Sequence, residues 1–181
     1  MQKFYLVTGN SGKAAAFKRL LPSSLDFELV DLDLPEIQSM DTKQIVADKA
    51  MRAYAAVGKP VLVEDVSAGL AALNGLPGTF IKYFENQMGA DALYQLTLGR
   101  SAQATVISTL AYYDGVNTII CEGVVEGTAV AARGKSGFGF DACFMPSGQT
   151  KTYAEMTDAQ KDAISHRTLS VKQLLTQLNK L

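Results

Sequence analysis

Hydrophobic and polar positions along the chain fall into two regimes. Over the first part, short continuous apolar runs alternate with amphipathic stretches. Phe4-Tyr5-Leu6-Val7 ends at Thr8-Gly9-Asn10 and predicts a buried strand. Ala14, Phe17, Leu20 and Leu21 then share one face of a helix over 12–21. Phe27 to Leu32 predicts a second strand. Across Asp41 to Val57, the residues Val46, Ala50, Ala53, Tyr54 and Val57 form an apolar stripe, and Gly58-Lys59-Pro60 stops the helix. Pro60-Val61-Leu62-Val63 predicts a third buried strand, ending at Glu64-Asp65. The order β-α-β-α-β argues for an α/β fold.

After residue 65 the pattern changes. Gly75-Leu76-Pro77-Gly78 reads as a turn. Residues 80–98 predict two short helices split at Gly89, and Ala104 to Ala132 is β-rich, with a turn at Asp114-Gly115 that predicts an antiparallel hairpin. Ser136 to Gly148 is rich in Gly and Phe and reads as irregular. Thr157 and Gln160 form a capping box that opens a short helix. Beyond Ser165-His166-Arg167, a last helix places Val171, Leu174, Leu175, Leu178 and Leu181 on one packing face. No repeat, low-complexity tract or linker-like stretch interrupts the chain, so one domain over 1–181 is expected.

Composition narrows the function classes. The chain has 181 residues, 48% of them hydrophobic and 19% charged, ordinary globular usage that argues against wholesale disorder. No apolar run approaches the roughly 20 residues of a membrane span. The start, Met1-Gln2-Lys3-Phe4, carries no cleavage pattern of a secretory signal. Cys121 and Cys143 fit no metal spacing and no disulfide framework, so a cytoplasmic setting is expected. The net charge of −1 lacks the basic excess of a duplex binder, which makes a single nucleotide the better candidate than a nucleic-acid polymer.

Candidate chemistry begins at Thr8-Gly9-Asn10-Ser11-Gly12-Lys13, between a strand and a helix. Such a junction offers backbone N–H groups and a positive dipole end to a phosphate. Gly9 and Gly12 would allow close backbone approach, Thr8, Asn10 and Ser11 add neutral hydrogen bonds, and Lys13 adds charge. It is not a Walker A loop, because Ala14 follows Lys13. The plain alternative is a Gly-containing turn. Asp31, Asp33 and Glu36 follow the second strand, and Glu64 and Asp65 follow the third. In open parallel sheets ligands bind beyond the carboxyl ends of the strands, where all three junctions would meet. Carboxylates beside a phosphate loop make sense with a hard cation between them; without one they are solvated loop charges.

Lys49 borders the apolar stripe of the second helix, and Lys82 stands in the apolar setting Phe80-Ile81-Lys82-Tyr83-Phe84. Lys82 either snorkels to water or meets a phosphate. Lys161, His166 and Arg167 cluster near the start of the last helix. No partner set exists for a Ser-His-Asp triad. In Phe138-Gly139-Phe140-Asp141 the aromatic faces can stack on a flat base and Asp141 can accept from a ring N–H. The alternative is a loop packed for the core.

Taken together, these segments resemble the inosine triphosphate pyrophosphatase family. Thr8-Gly9-Asn10-Ser11-Gly12-Lys13, Asp33-Leu34-Pro35-Glu36, Val63-Glu64-Asp65, Gly75-Leu76-Pro77-Gly78 with Ile81-Lys82-Tyr83-Phe84, Phe138-Gly139-Phe140-Asp141, Tyr153-Ala154-Glu155-Met156, and Lys161 with Ser165-His166-Arg167 carry the likeness, in family order over nearly the whole chain. The resemblance implies a mixed-sheet α/β fold of elongated two-lobed form, a nucleotide cleft between the lobes, and a homodimer. It implies Mg2+-dependent hydrolysis, with Mn2+ as a substitute, of ITP, dITP or XTP to the monophosphate and pyrophosphate. Thr8, Gly9, Asn10, Ser11, Gly12 and Lys13 would hold the triphosphate, with Lys13, Lys49 and Lys82 neutralising it. Glu36 and Asp65 would bind the metal, and Asp65 would also be the base for the attacking water. Phe138, Gly139, Phe140 and Asp141 would line the base, while Lys161, His166 and Arg167 would read its 6-oxo group.

The chain departs from the family pattern at two places: Val66 replaces a usual Ser or Thr, and Ala142 a usual Pro. Two other readings stand beside this one: a Maf-like nucleotide hydrolase, and a nucleotide-binding module without turnover. A glycosidase built on Glu36 and Asp65 would leave the phosphate-type loop unexplained.

Overall fold

The structure is a computed structural model that describes residues 3–180. Met1-Gln2 and the expected helix-face residue Leu181 lie outside the described residues. Seven strands form a mixed sheet in the order β2-β1-β3-β5-β6-β7, with β4 paired to β3. The expected mixed α/β class is what the chain adopts.

The first four elements follow their sequence signals. Strand β1 (Phe4–Val7) leads to α1 (Ser11–Leu20), where the Asn10 side chain accepts the Lys13 backbone N–H and caps the helix. β2 (Phe27–Val30) precedes α2 (Thr42–Val57), which Asp41 caps and Gly58 ends in the left-handed conformation. β1 pairs in parallel with both β2 and β3 (Val61–Leu70).

The third strand differs from expectation. It does not end at Glu64-Asp65 but runs on to Leu70. Its register sets Tyr5 opposite Val61 and Leu6 opposite Leu62, so β1 runs out just where Glu64 begins. Beyond that point β3 gains an antiparallel neighbour, the short strand β4 (Pro77–Gly78), which pairs Ala68 with Gly78 and Gly69 with Pro77. The segment expected to be a turn therefore contains a strand. Two of the three junctions still follow the ends of parallel strands, because β1 and β2 stop at Val7 and Val30, whereas Glu64-Asp65 lies within β3.

Helices α3 (Ile81–Met88) and α4 (Ala92–Gln95) split at Gly89 as expected. β5 (Gln103–Tyr113) and β6 (Thr118–Ala129) form the hairpin, whose turn is held by Asp114 accepting the backbone N–H groups of Val116 and Asn117. The Gly- and Phe-rich segment holds a 3-10 turn over Gly139–Ala142 and then β7 (Phe144–Pro146), antiparallel to β6. α5 (Asp158–Ile164) opens on the Thr157/Gln160 capping box. α6 (His166–Leu178) starts earlier than the sequence pattern predicts, so His166 and Arg167 stand in its first turn rather than ahead of it.

The chain divides into two compact units. Unit 1 comprises the residues up to Asp65, Ser108–Gly123 and the stretch from Arg167; unit 2 comprises Val66–Ile107 and Val124–His166. β3, β5 and β6 each give one part to either unit. In unit 1, Phe4, Phe17, Leu62, Leu110, Leu174 and their neighbours make one core, and Val46, Ala50, Ala53, Val61 and Val63 make a second. In unit 2, Leu70, Leu93, Phe140, Phe144 and Tyr153 centre the core. Fully burying one such Phe or Leu contributes about 1.5–3 kcal/mol. No helix among the described residues is long and apolar enough to cross a membrane.

Candidate active site

The charged group of unit 1 is built around Glu64, which is only 3% exposed. A buried carboxylate costs several kcal/mol unless it is paired, and here it is paired several times over. Arg167 Nε donates to Oε1 at 2.8 Å and Nη2 to Oε2 at 3.0 Å, a two-pronged grip. Ser108 Oγ donates to Oε1 at 2.6 Å, and Ser108 itself shares a hydrogen bond of 2.9 Å with Ser170. Lys13 Nζ lies 3.4 Å from Oε2. Burial pushes the Glu64 carboxyl up, but the Arg167 and Lys13 charges with these hydrogen bonds outweigh it and hold the group at about 2. The Arg167 guanidinium also lies over the Phe17 ring, 5.6 Å from its centroid.

Asp65, next along β3, has the opposite environment. Its Oδ2 is buried and has no hydrogen-bond partner among the described residues. Burial pushes its carboxyl up to about 6, with Glu36 and Glu64 adding to the rise and Lys13 and Lys49 opposing it. Successive strand residues face opposite sides, so one carboxylate is tied into the unit and its neighbour is left open to a ligand.

The two lysines sit at the same place. Lys13 Nζ donates to the Glu64 backbone carbonyl at 3.3 Å, and Lys49 Nζ reaches that carbonyl at 3.5 Å. Lys49 also pairs with Glu36. Burial lowers the Lys13 ammonium, while Glu64 pulls it back up. Thr8, Gly9, Asn10, Ser11 and Gly12 lead into α1, with Thr8 Oγ1 accepting the Asn10 N–H at 3.2 Å. Gly9, Asn10 and Ser11 are exposed. Gly9 has ordinary backbone geometry, and a side-chain carbon there would meet only Asp31 at 3.4 Å, so its value lies in leaving the loop open rather than in permitting its shape. Asp31, Asp33 and Glu36 are exposed in the loop after β2. Lys13, Lys49, Glu36 and Asp65 thus converge in unit 1 as the sequence suggests. Among the described residues, no group of three or more His, Cys, Asp or Glu is arranged to enclose a metal ion.

The aromatic group belongs to unit 2. Asp141 is 3% exposed and binds Lys161 Nζ at 2.5 Å. Its Oδ2 also accepts the Phe138 backbone N–H at 2.8 Å. Gly137 has φ +79°, and a side-chain carbon there would lie 2.2 Å from Asp141 Oδ2, so only glycine fits this close approach. The Lys161 ammonium lies 5.3 Å from the Phe138 ring centroid and 5.1 Å from that of Tyr153. The His166 ring packs at 5.8 Å from Phe140 and 5.9 Å from Tyr153. Phe138, Gly139, Phe140, Asp141, Lys161 and His166 are therefore brought together.

Two predicted residues belong to a different unit from some of the residues grouped with them. Lys82 is exposed on α3 in unit 2, whereas Lys13 and Lys49 are in unit 1. Arg167 belongs to unit 1 and grips Glu64, whereas its neighbour His166 belongs to unit 2. The sequence marks Glu64 as a strand-end acid without giving it a role, and it gives no signal for Ser108, Ser170 or Phe17. Tyr153 belongs to a family-like motif, yet nothing in the sequence marks its ring as the floor under Lys161.

The chain matches the model of the Ham1 family over residues 4–177. It belongs to the Ham1 family. Inosine triphosphate pyrophosphatase from Schizosaccharomyces pombe is 40% identical over 177 residues, spanning 96% of this chain and 94% of that protein. Its counterpart from Yarrowia lipolytica is 40% identical over 172 residues, spanning 93% and 91%. Among solved structures, a HAM1 protein from Coxiella burnetii matches with a TM-score of 0.83 at 28% identity over 100% of both chains. A nucleoside-triphosphatase, dITP/XTP pyrophosphatase, from Mycobacterium abscessus matches with a TM-score of 0.72 at 27% identity, over 96% of this chain and 99% of that one. Within this Ham1 chain the two departures are structural. Val66 packs against the apolar core of unit 2, with Ser67 buried beside it in sequence. Ala142 is half-buried, and its carbonyl accepts the Arg133 N–H at 2.8 Å.

Proposed function

We propose that this Ham1 chain is a nucleoside triphosphate pyrophosphatase of the house-cleaning kind, hydrolysing ITP, dITP or XTP to the monophosphate and pyrophosphate. The observation that carries the reading is Asp65: a buried, unpartnered carboxylate oxygen facing two lysines and a second carboxylate, at the end of a strand–loop–helix phosphate junction. Membership in the family, and the names of the relatives, support it from outside the site.

The residues divide the work. The backbone N–H groups at 8–12 and the start of α1 bind phosphate oxygens. Lys13 and Lys49 offset the triphosphate charge, and Lys82 assists from the substrate's exposed side. Glu36 and Asp65 would hold a Mg2+, or a Mn2+ in its place. The donor set fits such a hard cation, which takes one or two carboxylates and completes its shell with substrate phosphate oxygens. When bound, the ion supplies charge neutralisation on those oxygens. Asp65 accepts the proton of a water whose oxygen attacks the α-phosphorus. The bond from that phosphorus to the pyrophosphate oxygen breaks, and the pair of electrons leaves with pyrophosphate. Glu64 touches no substrate in this scheme; with Ser108 and Arg167 it fixes the strand that carries Asp65.

At the other end of the substrate, Phe138 and Phe140 stack on the purine, and Lys161 and His166 supply donors to its 6-oxo group, while Arg167 stays engaged by Glu64. Adenine presents an amino donor at that position, so the buried donors would go unsatisfied and the base would be rejected. The ligand is a single nucleotide, in keeping with the net charge of −1. The protein works as a homodimer in the cytoplasm. Tyr83, Tyr94 and Leu98 around α3 and α4, 60%, 39% and 77% exposed, favour self-association, and the two free buried thiols suit a reducing compartment.

Product analysis tests the reaction. ITP incubated with enzyme and Mg2+ should yield IMP and pyrophosphate in equal amounts, and EDTA should stop both. IDP with inorganic phosphate, or no product at all, would overturn the proposal.

A further inference from the structure

Glu85 on α3 takes no part in the scheme above; it is half-buried. Its Oε1 is buried without a hydrogen-bond partner among the described residues. The Phe140 backbone N–H favours the ionised form of its carboxyl. Gly139 turns with φ +61°, and a side-chain carbon there would lie 3.2 Å from Glu85 Oε1 and 3.3 Å from Oε2. The carboxyl of Glu85 therefore lies against the 3-10 turn Gly139–Ala142, on the side that glycine leaves bare. Asp141, in the same turn, faces it as a like charge and is held from elsewhere by Lys161.

We infer that Glu85 is a positioning residue for base recognition, setting the Gly139–Ala142 turn on which Phe138, Phe140 and Asp141 present themselves to the purine. The inference rests on the assignment of this turn to the base. With Glu85 neutral, Asp141 remains the single anion of the turn, beside Lys161. With Glu85 ionised, two carboxylates crowd the turn, Asp141 is pushed and the stacking face shifts. Burial raises the Glu85 carboxyl to about 7, with Asp141 adding to the rise and the Phe140 N–H opposing it, so the two states exchange near neutral pH. The other charged or titratable groups around it are Lys161 behind Asp141, Cys143 after the turn, Asp91 at the start of α4, and Lys82 one turn back on α3. Cys143 is pushed up to about 11, mainly by burial, and so does not titrate in this range.

The test compares the wild-type protein with Glu85→Gln, which keeps an acceptor for the Phe140 N–H and cannot ionise. In the nucleotide-free protein, the amide resonances of Gly139, Phe140 and Asp141 should move through a transition near pH 7 in the wild type and lose it in Glu85→Gln. With ITP, the wild-type KM should rise about fivefold to tenfold between pH 6 and pH 8, the scale of one weakened hydrogen bond, with kcat following the same profile in both proteins. Taking the difference between the two proteins removes the contribution of every other group. Amides that do not titrate, or the same KM rise in both proteins, would overturn the inference while leaving ITP hydrolysis in place. Titrating amides with no hydrolysis of any inosine or xanthosine nucleotide would instead overturn the proposed function. A Glu85→Leu variant that is folded but has lost affinity for ITP at every pH would support the positioning role independently of titration.

Discussion

The two units of this chain treat a buried carboxylate in different ways. In unit 1, Glu64 is satisfied by a guanidinium, a hydroxyl and an ammonium, while its neighbour Asp65 keeps a buried oxygen without a partner. In unit 2, Asp141 is satisfied by Lys161 and a backbone N–H, while Glu85 keeps the unpartnered oxygen. Each unit thus pairs a fixed acid with an open one, but the surroundings differ. Around Asp65 stand lysines, which suit phosphate. Around Glu85 and Asp141 stand aromatic rings and glycines, which suit a flat base. The lesson is that a strongly held carboxylate fixes the local structure, while the protonation of the poorly held one beside it is tuned by its surroundings.

The sharpest way to break this comparison is to exchange the roles of the acids in unit 1. Asp65→Asn should lower kcat on ITP by about 10^3-fold, the scale of a lost general base, with the melting temperature kept within a few degrees. A variant of near-full activity would remove Asp65 from the chemistry. Glu64→Gln should do the reverse and act first on stability. It leaves the Arg167 guanidinium buried without its counter-charge, a loss of about 3–5 kcal/mol measurable by denaturant unfolding. A small loss would mean that Glu64 is not the organising acid.

A smaller effect sharpens the contrast between the units. Lys161→Met should raise KM for ITP about tenfold and leave kcat nearly intact, because it removes a donor at the base and not at the phosphates. An equal loss on ITP and ATP, carried by kcat, would erase the division of labour. The smallest effect is on pH-dependent stability, and it has opposite signs for Glu64 and Glu85. Glu64 is held down at about 2, so its stabilisation is present above the ordinary carboxyl range and is lost as pH falls from about 4.5 toward 2. Glu85 is pushed up to about 7, so the folded state binds more protons than the unfolded chain between about 4.5 and 7, and stability falls as pH rises through that window. Thermal melts of Glu85→Gln should show a smaller second decline, keeping the part that Asp65, pushed up to about 6, contributes, and should keep the first decline unchanged.

Much of unit 1 is legible in the sequence because its signals are local. The strand ending at Val7, the Asn10 cap and the Asp41 cap each lie within a few residues of the feature they determine. The acids Glu36 and Asp65 and the lysines Lys13 and Lys49 are legible by the same route, since the carboxyl ends of parallel strands bring their loops to one edge of the sheet. The illegible parts depend on partners distant in sequence. β3 runs past Glu64-Asp65 because β4 waits to pair with Ala68 and Gly69. β7 forms from three residues of a Gly- and Phe-rich stretch because the end of β6 offers an edge. Glu64 is buried because Arg167, 103 residues later, folds onto it, and no local pattern announces that. His166 and Arg167 look like one recognition group because they adjoin in sequence, yet the first turn of α6 sends them to different neighbours. Glu85 is invisible for a related reason: a Glu in an amphipathic helix reads as solvated until Gly139 is placed against it.

The central claim is that this chain couples triphosphate chemistry to recognition of a 6-oxo purine. Its most direct test is pyrophosphate release from ITP, XTP, GTP, ATP and dUTP, each with Mg2+ and with EDTA. The account predicts metal-dependent turnover of ITP and XTP, with kcat/KM about 100-fold or more above that for ATP. Turnover of ATP at a rate equal to ITP, a preference for dUTP, or no turnover of any of the five would contradict it.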